Sequence, residues 1–323
     1  MGYKPISQFF FPNSAGGRVI AMEMTQKRKQ WVKNGFTIFM FLLPALAIYF
    51  TYIVAGIFRT FYYSGFNWTG FGPVSQATFV GLENFSRLIR DAAFWHAVRN
   101  NFLLVFVSLV FQLSLGMVLA LIINTSYKGV KYLRTIYFMP LLLSTAATGT
   151  IWQLMLSPHT GLFDWLLNII SPNVPLSWLG SEQMVMFSLL FVICWQFTPQ
   201  YMILIRAGMT GIPDEIYEAA TIDGANRFQQ FWSMTLPMLS GTLKTSAVLS
   251  IVGSLKFFDL IWIMTMGGPN GYSELMATYM YKRAFQQDRM GYASAVASFM
   301  IIIAFITIMI FRYVTRNKEE ARS

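Results

Sequence analysis

The side chains best placed for chemistry belong to one polar segment between two long apolar stretches. Five of its residues are charged, in a chain where 12% of residues are: Asp214, Glu215, Glu218, Asp223 and Arg227. Because charge is costly in hydrocarbon, the segment is predicted to lie outside a bilayer. Pro213 suits the first position of a helix, and Gly224 suits a helix end with positive φ. The chemistry expected here is docking of a charged helix–Gly–helix element into a partner.

A family resemblance rests on the same segment. Its sequence is Glu-Ala-Ala-x-x-Asp-Gly-Ala from Glu218 to Ala225, followed by Phe231 and by Leu236-Pro237. This pattern resembles the signature loop of permease subunits of bacterial ATP-binding-cassette importers. The run 195–237 resembles the sugar-transport (maltose-type) branch of that family, and the resemblance extends over residues 35–315. Three further motifs support it: Gly267-Gly268-Pro269, Tyr281-x-x-Ala284-Phe285 and Gly291-Tyr292-Ala293-Ser294-Ala295-Val296.

The resemblance implies a fold and a function. The fold would be an all-α integral membrane protein with about six transmembrane helices, like a type I importer permease. The function would be ATP-driven passage of a sugar or oligosaccharide, delivered by a binding protein, inward across the bacterial cytoplasmic (inner) membrane. Glu218 would pair with a basic residue of an ATPase, Asp223 would cap the turn, and Phe231 and Trp232 would anchor the apolar side of the loop. The residues expected to couple to the ATPase are Glu218, Ala219, Ala220, Asp223, Gly224, Ala225, Phe231 and Pro237.

The expected partners follow from what the chain lacks. It has no phosphate-binding motif of the form Gly-x-x-x-x-Gly-Lys-Ser/Thr. It is therefore predicted to be no enzyme and to hold no cofactor, and the resemblance implies two separate ATPase subunits that carry ATP and Mg. The resemblance also implies an extracytoplasmic solute-binding protein and a second permease subunit, either the same chain or a similar but distinct one. Two His and the single Cys194 are too few for a metal site.

Composition places the chain in a lipid bilayer. Hydrophobic residues make up 55% of it, more than is typical of soluble domains. The net charge of +10 would also suit nucleic-acid binding, but the positive charges gather at the ends of apolar runs. These charges are therefore interpreted as setting the orientation of the chain in the membrane, and no nucleic-acid partner is predicted.

Six apolar runs are long enough to cross the hydrocarbon core, which takes about 20 residues. They are 35–58, 101–124, 135–155 with a bend at Pro140, 184–209, 243–266 and 293–311. Pro199 is expected to break the fourth run because it lacks a backbone donor. Lys and Arg precede the first run, separate the second from the third and follow the sixth, so both termini are predicted to be cytoplasmic. The predicted divisions are an N-terminal extension 1–34, a transmembrane domain 35–315 with the cytoplasmic loop 213–237, and a tail 316–323.

Ionisable residues within an apolar run suggest a translocation pathway. Lys256 and Asp259 lie three residues apart in the fifth run and are predicted to share a helical face. They could bind sugar hydroxyls, pair with each other, or face a partner subunit. Sugars are held by planar hydrogen-bonding groups and aromatic faces. The candidate pathway residues are Trp152, Gln153, Trp195, Gln196, Gln200, Tyr201, Lys256, Phe257 and Asp259.

Two other functional classes stay open at the level of sequence. An ion-coupled secondary sugar transporter would need carboxylates within the membrane, and Asp259 is the single candidate; no inverted repeat is evident. A structural or assembly subunit without a pore is the second. The identity of the sugar also stays open. Oligosaccharides are favoured by analogy, and Lys256 with the basic loop after the first run leaves room for an acidic sugar or a glycerol phosphodiester.

Overall fold

The computed structural model describes residues 37–125, 128–170 and 177–320, with side chains described through residue 315 apart from 168 and 170. The predicted extension 1–34 lies outside these residues, and the predicted domain boundaries stay a prediction. The chain divides into two compact units, 1–59 and 60–323. The described part of the first unit belongs to helix α1 (Thr37–Tyr63), an apolar helix with a π-helical turn at Tyr49–Val54.

Two short strands and a helix follow α1. The strands β1 (Phe66–Asn67) and β2 (Thr78–Phe79) pair antiparallel, and α2 (Glu83–Arg90) comes next. The buried Asn84 side chain donates from Nδ2 to the Ser64 carbonyl at 2.8 Å. Because a buried amide needs such partners, this bond fixes α2 beside the strand pair.

The rest of the described part of the second unit is mostly helical, which confirms the predicted all-α membrane fold. Its helices are α3 (Ala92–Ile123), α4 (Val130–Leu142), α5 (Thr145–Met155), α6 (Leu162–Ile170), α7 (Val185–Met209), α8 (Asp214–Ile222), α9 (Arg227–Gln230), α10 (Leu236–Met238), α11 (Ser240–Leu255), α12 (Asp259–Thr265), α13 (Met276–Tyr281) and α14 (Met290–Glu320). Single π-helical turns lie within α3 at Ser108–Gln112, between α9 and α10 at Phe231–Thr235, and after α13 at Lys282–Gln286.

Within the described ranges, five helical segments are long and apolar enough to cross a membrane. They are Thr37–Tyr63, Ala92–Ile123, Val185–Met209, Ser240–Thr265 and Met290–Thr315. These segments correspond to five of the six predicted runs. The last helix continues to Glu320, so the backbone of the predicted tail is helical up to that residue.

The remaining predicted run, 135–155, is two helices. α4 ends at Leu142, Leu143 is extended with ψ 140°, and Ser144 then caps α5 by accepting a hydrogen bond from the Ala147 N–H at 3.2 Å. A serine at this position stabilises a new helix start because its side chain satisfies a free backbone donor. The bend expected at Pro140 is therefore a complete break three residues later.

The fourth predicted run is one helix, and the break expected at Pro199 is wrong. α7 continues through Pro199, which is buried together with its neighbour Thr198. Proline removes one backbone hydrogen bond, but a helix buried on several sides is held by packing. The neighbouring α3 comes very close: a Cβ on Gly116 would lie 3.0 Å from the Tyr201 Cβ and 3.1 Å from the Met202 nitrogen. Glycine at that position is what permits this approach.

Candidate functional site

The loop 213–237 begins with α8. Pro213 is the N-cap of this helix, one position earlier than predicted, and Asp214 and Glu215 occupy its first turn. Carboxylates at that end interact favourably with the partial positive charge of the helix N-terminus. The helix ends before Gly224, whose φ of +82° is left-handed.

The turn after α8 is a Schellman motif. The Ala225 N–H donates to the Ala220 carbonyl at 2.9 Å, and the Gly224 N–H donates to the Thr221 carbonyl at 3.1 Å. A Cβ at Gly224 would meet nothing within 4 Å, so the left-handed backbone, rather than a lack of space, favours glycine. The prediction that Gly224 ends the helix with positive φ is confirmed.

The second short helix of the loop starts with a capping box. The Asn226 side chain accepts from the Gln229 N–H at 2.9 Å, and the Gln229 side chain accepts from the Asn226 N–H at 2.8 Å. Asp223, predicted to cap the turn, contributes through its backbone N–H, which donates to the Ala219 carbonyl at 3.0 Å. The sequence signal for the observed cap is the Asn-x-x-Gln spacing.

Side-chain hydrogen bonds join the two halves of the loop. The buried Gln230 amide donates to the Thr221 hydroxyl at 3.0 Å and to the Ala225 carbonyl at 3.1 Å. The Tyr217 hydroxyl lies 3.0 Å from the Thr235 hydroxyl. These bonds fix the angle between α8 and the following helix, so the loop behaves as one rigid element. Sequence reasoning missed all of these polar residues, because a lone Gln, Thr or Tyr carries no positional signal.

The outer surface of the loop combines charge with exposed apolar side chains. Glu218 and Ala219 are exposed, and Ile222 is 86% exposed one turn further along α8. Phe228 and Trp232 are 72% and 54% exposed, with ring centroids 6.1 Å apart. We call these five residues the docking face. Large exposed apolar side chains beside carboxylates are typical of a protein-binding surface.

The other predicted loop residues divide between surface and core. Phe231 packs against the buried cluster that contains Met202 and Leu239, so it anchors the loop as predicted. Trp232 was predicted to do the same and instead faces outward. Ala220 is buried at 1% exposure, which places its small side chain against the protein rather than toward a partner. Asp223, Gly224 and Pro237 are exposed, and Ala225 is half-buried.

A cavity of about 280 Å³ lies between α3, α7 and the end of α11. Four candidate pathway residues line it: Gln200, Tyr201, Lys256 and Phe257. Further polar groups come from Ser108 and Gln112 on the π-helical turn of α3 and from Ser250 and Ser254 on α11. We call this space the central cavity. A π-helical turn is often found at a functional site, because it redirects side chains that a regular helix would point elsewhere.

The fifth predicted span is broken at the edge of the central cavity. α11 ends at Leu255, and α12 begins at Asp259. Lys256 and Asp259 therefore do not share a helical face, and that prediction is wrong. Asn101 satisfies the freed backbone: its Nδ2 donates to the Ser254 carbonyl at 2.8 Å and to the Leu255 carbonyl at 3.3 Å. Irregular backbone at membrane depth is tolerated where protein supplies such partners.

The remaining pathway candidates lie outside the central cavity. Gln153 donates to the Ile263 and Met264 carbonyls at 3.0 and 2.9 Å, so it caps the end of α12. Gln196 is buried and donates to the Leu143 carbonyl at 3.3 Å. Trp152 is buried against Trp195 and other rings, with a centroid separation of 5.4 Å for that pair. Asp259 is exposed and does not line the cavity. These five residues are therefore structural or peripheral in this conformation.

A polar cluster lies at the amino-terminal end of α3. Asp91 caps α3 and accepts hydrogen bonds from the hydroxyls of Tyr279 and Tyr292, the second at 2.9 Å. Arg283 approaches the same carboxylate at 3.7 Å. Partial burial raises the pKa of Asp91, but the hydrogen bonds from the two tyrosines and from backbone N–H groups outweigh it and hold the pKa below its usual value. The cluster joins α3, α13 and α14.

A helical membrane protein with a broken span, a polar cavity at the break and a rigid, charged loop belongs to the class of multi-spanning transport proteins. Within the described residues, no group of three or more His, Cys, Asp or Glu side chains could hold a metal ion. The chain belongs to the family of inner membrane components of binding-protein-dependent transport systems, which matches residues 14–319. Membership shows that the chain is a permease subunit and not a catalytic one. It also overturns the alternative of an ion-coupled secondary transporter.

Two proteins similar in sequence to this chain are named as permeases of transport systems. It is 34% identical over 286 residues to a probable ABC transporter permease protein, YurN, of Bacillus subtilis, covering 87% of this chain and 97% of the relative. It is 32% identical over 268 residues to the trehalose/maltose transport system permease protein MalF of Thermococcus litoralis, covering 83% and 90%.

A solved structure shares the fold. A chain from a bacterial ABC transporter involved in the import of the acidic polysaccharide alginate matches with a TM-score of 0.79. The match covers 90% of this chain and 99% of that one at 23% identity. At this identity the likeness shows the arrangement of helices and no more.

Proposed function

We propose that this permease conducts a sugar or oligosaccharide through the central cavity. An ATPase that binds the loop 213–237 would drive this transport. The observation that carries the proposal is the construction of that loop. Its two helices are capped, cross-linked by Gln230 and closed by a left-handed glycine, yet its outer surface is apolar and acidic. A rigid element with such a surface is suited to transmit force across a protein–protein contact.

The docking face favours a partner with a basic, apolar cleft. Four carboxylates and one arginine lie in 213–237, so the loop is acidic in a chain of net charge +10. Ile222, Phe228 and Trp232 would fill an apolar pocket, and Glu218 would meet a basic side chain at its rim. We infer that two ATPase subunits, which hold ATP and Mg, each receive one such loop. The second loop would come from a similar but distinct permease chain.

The proposed topology puts the loop in the cytoplasm together with both chain termini. Lys128, Lys131 and Arg134 precede α4, and Arg206 lies in the last turn of α7. Positive residues favour the cytoplasmic side, and the loop directly follows α7. A solute-binding protein would then dock on the opposite, extracytoplasmic side.

The lining of the central cavity fits a carbohydrate. Gln200 presents an exposed planar amide, Ser250 and Ser254 add hydroxyls to the lining, and Phe257 adds an aromatic ring. Amides and hydroxyls can match the donors and acceptors of a sugar, and a ring can cover its apolar C–H face. Relatives such as the trehalose/maltose permease support a neutral saccharide. Lys256 also lines the cavity, so an acidic saccharide remains an alternative substrate.

The test uses the backbone requirement at Gly224. In Gly224→Val the left-handed conformation costs about 1–2 kcal/mol and distorts the loop, whereas Gly224→Asn should keep it, because Asn tolerates positive φ. We expect Gly224→Val to insert normally but to lose ATPase co-purification and substrate-stimulated ATP hydrolysis in proteoliposomes.

Gly241→Val is the matched control. A Cβ at Gly241 also meets nothing within 4 Å, but this glycine has ordinary helical backbone in α11. The proposal is overturned if Gly224→Val retains full ATPase binding and transport. It is equally overturned if the purified complex shows no substrate-stimulated ATP hydrolysis, as expected of an assembly subunit without a pore.

A further inference from the structure

A second cavity, of about 540 Å³, lies between α4 and the last turns of α7. It shares no lining residue with the central cavity. We call it the lateral cavity. Its volume falls in the range of about 300–1,000 Å³ typical of sites that hold small molecules. Several of its lining residues face outward, including Thr135, Met139, Leu142 and Ile203, so the cavity opens on the side of the protein.

The charged residues in the lining of the lateral cavity are both arginines. Arg134 comes from α4 and Arg206 from α7, and no carboxylate of the described residues lines the cavity. The Arg206 Nε is buried, and no acceptor among the described residues bonds to it. A buried charged donor without an acceptor is costly. The site therefore favours an occupant that brings an anionic acceptor.

The polar and the apolar lining residues lie at different heights along the two helices. On α4, Arg134 and Thr135 precede Met139 and Leu142; on α7, Met202 and Ile203 precede Arg206 and Thr210. Arg134 lies near the start of α4 and Arg206 in the last turn of α7, and in the topology proposed above these two helix ends lie on the same side of the membrane. Both helices therefore place polar groups at one end of the cavity. Their apolar groups lie at the other end, toward the bilayer centre. The occupant that matches both ends is a molecule with an anionic head and a hydrocarbon tail.

We propose that the lateral cavity binds an anionic phospholipid, with its phosphate between Arg134 and Arg206 and its acyl chain along Met139 and Leu142. The assignment to the cytoplasmic leaflet rests on the topology given under the proposed function. Basic pockets between transmembrane helices on that side suit acidic headgroups. An apolar helix of a partner subunit would fill the apolar part but leave the Arg206 donor unpaired, so the lipid is the better match.

The test measures retained lipid. The intact permease–ATPase complex is reconstituted in nanodiscs of equimolar phosphatidylcholine and phosphatidylglycerol, re-extracted, and weighed with its bound lipids by native mass spectrometry. We expect the wild type to retain phosphatidylglycerol in excess. Each of Arg134→Gln and Arg206→Gln should lower that preference about fivefold, since a basic residue near an anionic surface contributes about 1 kcal/mol. Arg206→Lys should keep most of it.

Arg312→Gln is the matched control, because it removes an exposed arginine from α14, away from the cavity. A photo-crosslinker at Met139 should label lipid. The proposal is overturned if phosphatidylglycerol is retained equally by wild type and both glutamine variants, or if the crosslinker labels a partner subunit instead. Lipid retention is measured without ATP, so its failure is distinct from a failure of coupling through the loop.

Discussion

The loop 213–237 and the central cavity are held together in opposite ways. In the loop, side-chain bonds join residues that are near in sequence: Gln230 and Thr221 are nine positions apart. Around the central cavity, side-chain amides bond to backbone carbonyls that are distant in sequence. Asn101 bonds to the Ser254 carbonyl 153 positions away, and Gln112 donates to the Ile193 carbonyl 81 positions away at 3.2 Å.

This difference separates two mechanical roles. A loop stabilised by its own bonds can be moved as a unit without altering its internal geometry. A cavity whose walls are tied to several helices changes shape when any of those helices shifts. Force applied to the loop would therefore reach the cavity through α7 and α11, the helices that flank the loop and also line the cavity.

The largest effect is expected from Asn101→Ala. This change removes the side-chain donor of the Leu255 carbonyl and the acceptor of the Met276 N–H, which donates to Asn101 Oδ1 at 2.7 Å. The Ser254 carbonyl also loses its bond to Asn101 but keeps the Phe257 N–H at 3.3 Å. Each buried group left unpaired costs about 1–3 kcal/mol, so the melting temperature of the detergent-solubilised protein should fall strongly. Asn124→Ala, at an exposed position on the end of α3, is the control. A melting temperature equal to that of the control would show that the break is held by something else.

An intermediate effect is expected from Gln230→Ala. It removes the bonds to Thr221 and Ala225 and should cost about 1–3 kcal/mol within the loop. Because the damage is local, affinity for the ATPase should drop while the melting temperature of the membrane helices changes little. The exposed Gln183→Ala serves as control. If the melting temperature fell as far as in Asn101→Ala, the loop would not be an independent unit.

The smallest effect is a pH dependence from Asp91. The pKa of Asp91 is lower in the folded protein than in the unfolded chain, so the carboxylate contributes stability that is complete above its unfolded pKa. That stability is lost as the pH falls through the lower, folded pKa. Melting temperature measured in steps from pH 7 into this acidic range should decline more in the wild type than in Asp91→Asn. Parallel curves would contradict the assigned role.

Local features were predictable from sequence, and long-range ones were not. The end of α8 at Gly224 and the acidic first turn follow from residue types at adjacent positions. The break between α11 and α12 was missed because its residues, Lys256, Phe257 and Phe258, include neither glycine nor proline. The side chain that bonds the freed carbonyls belongs to Asn101, which cannot be identified from the sequence of the fifth run alone. At Pro199 the sequence predicted a break that does not exist, because packing keeps α7 intact.

The broken span also changes the electrostatics of the membrane interior. The carboxyl end of α11 carries a partial negative charge and the amino end of α12 a partial positive one, each about half an elementary charge. Lys256 follows the first of these ends, and Asp259 opens the second. The basic and the acidic side chain thus each follow or open a helix end whose partial charge is opposite in sign to their own type. The backbone at the break can therefore offset part of the cost of placing a basic and an acidic residue within the bilayer.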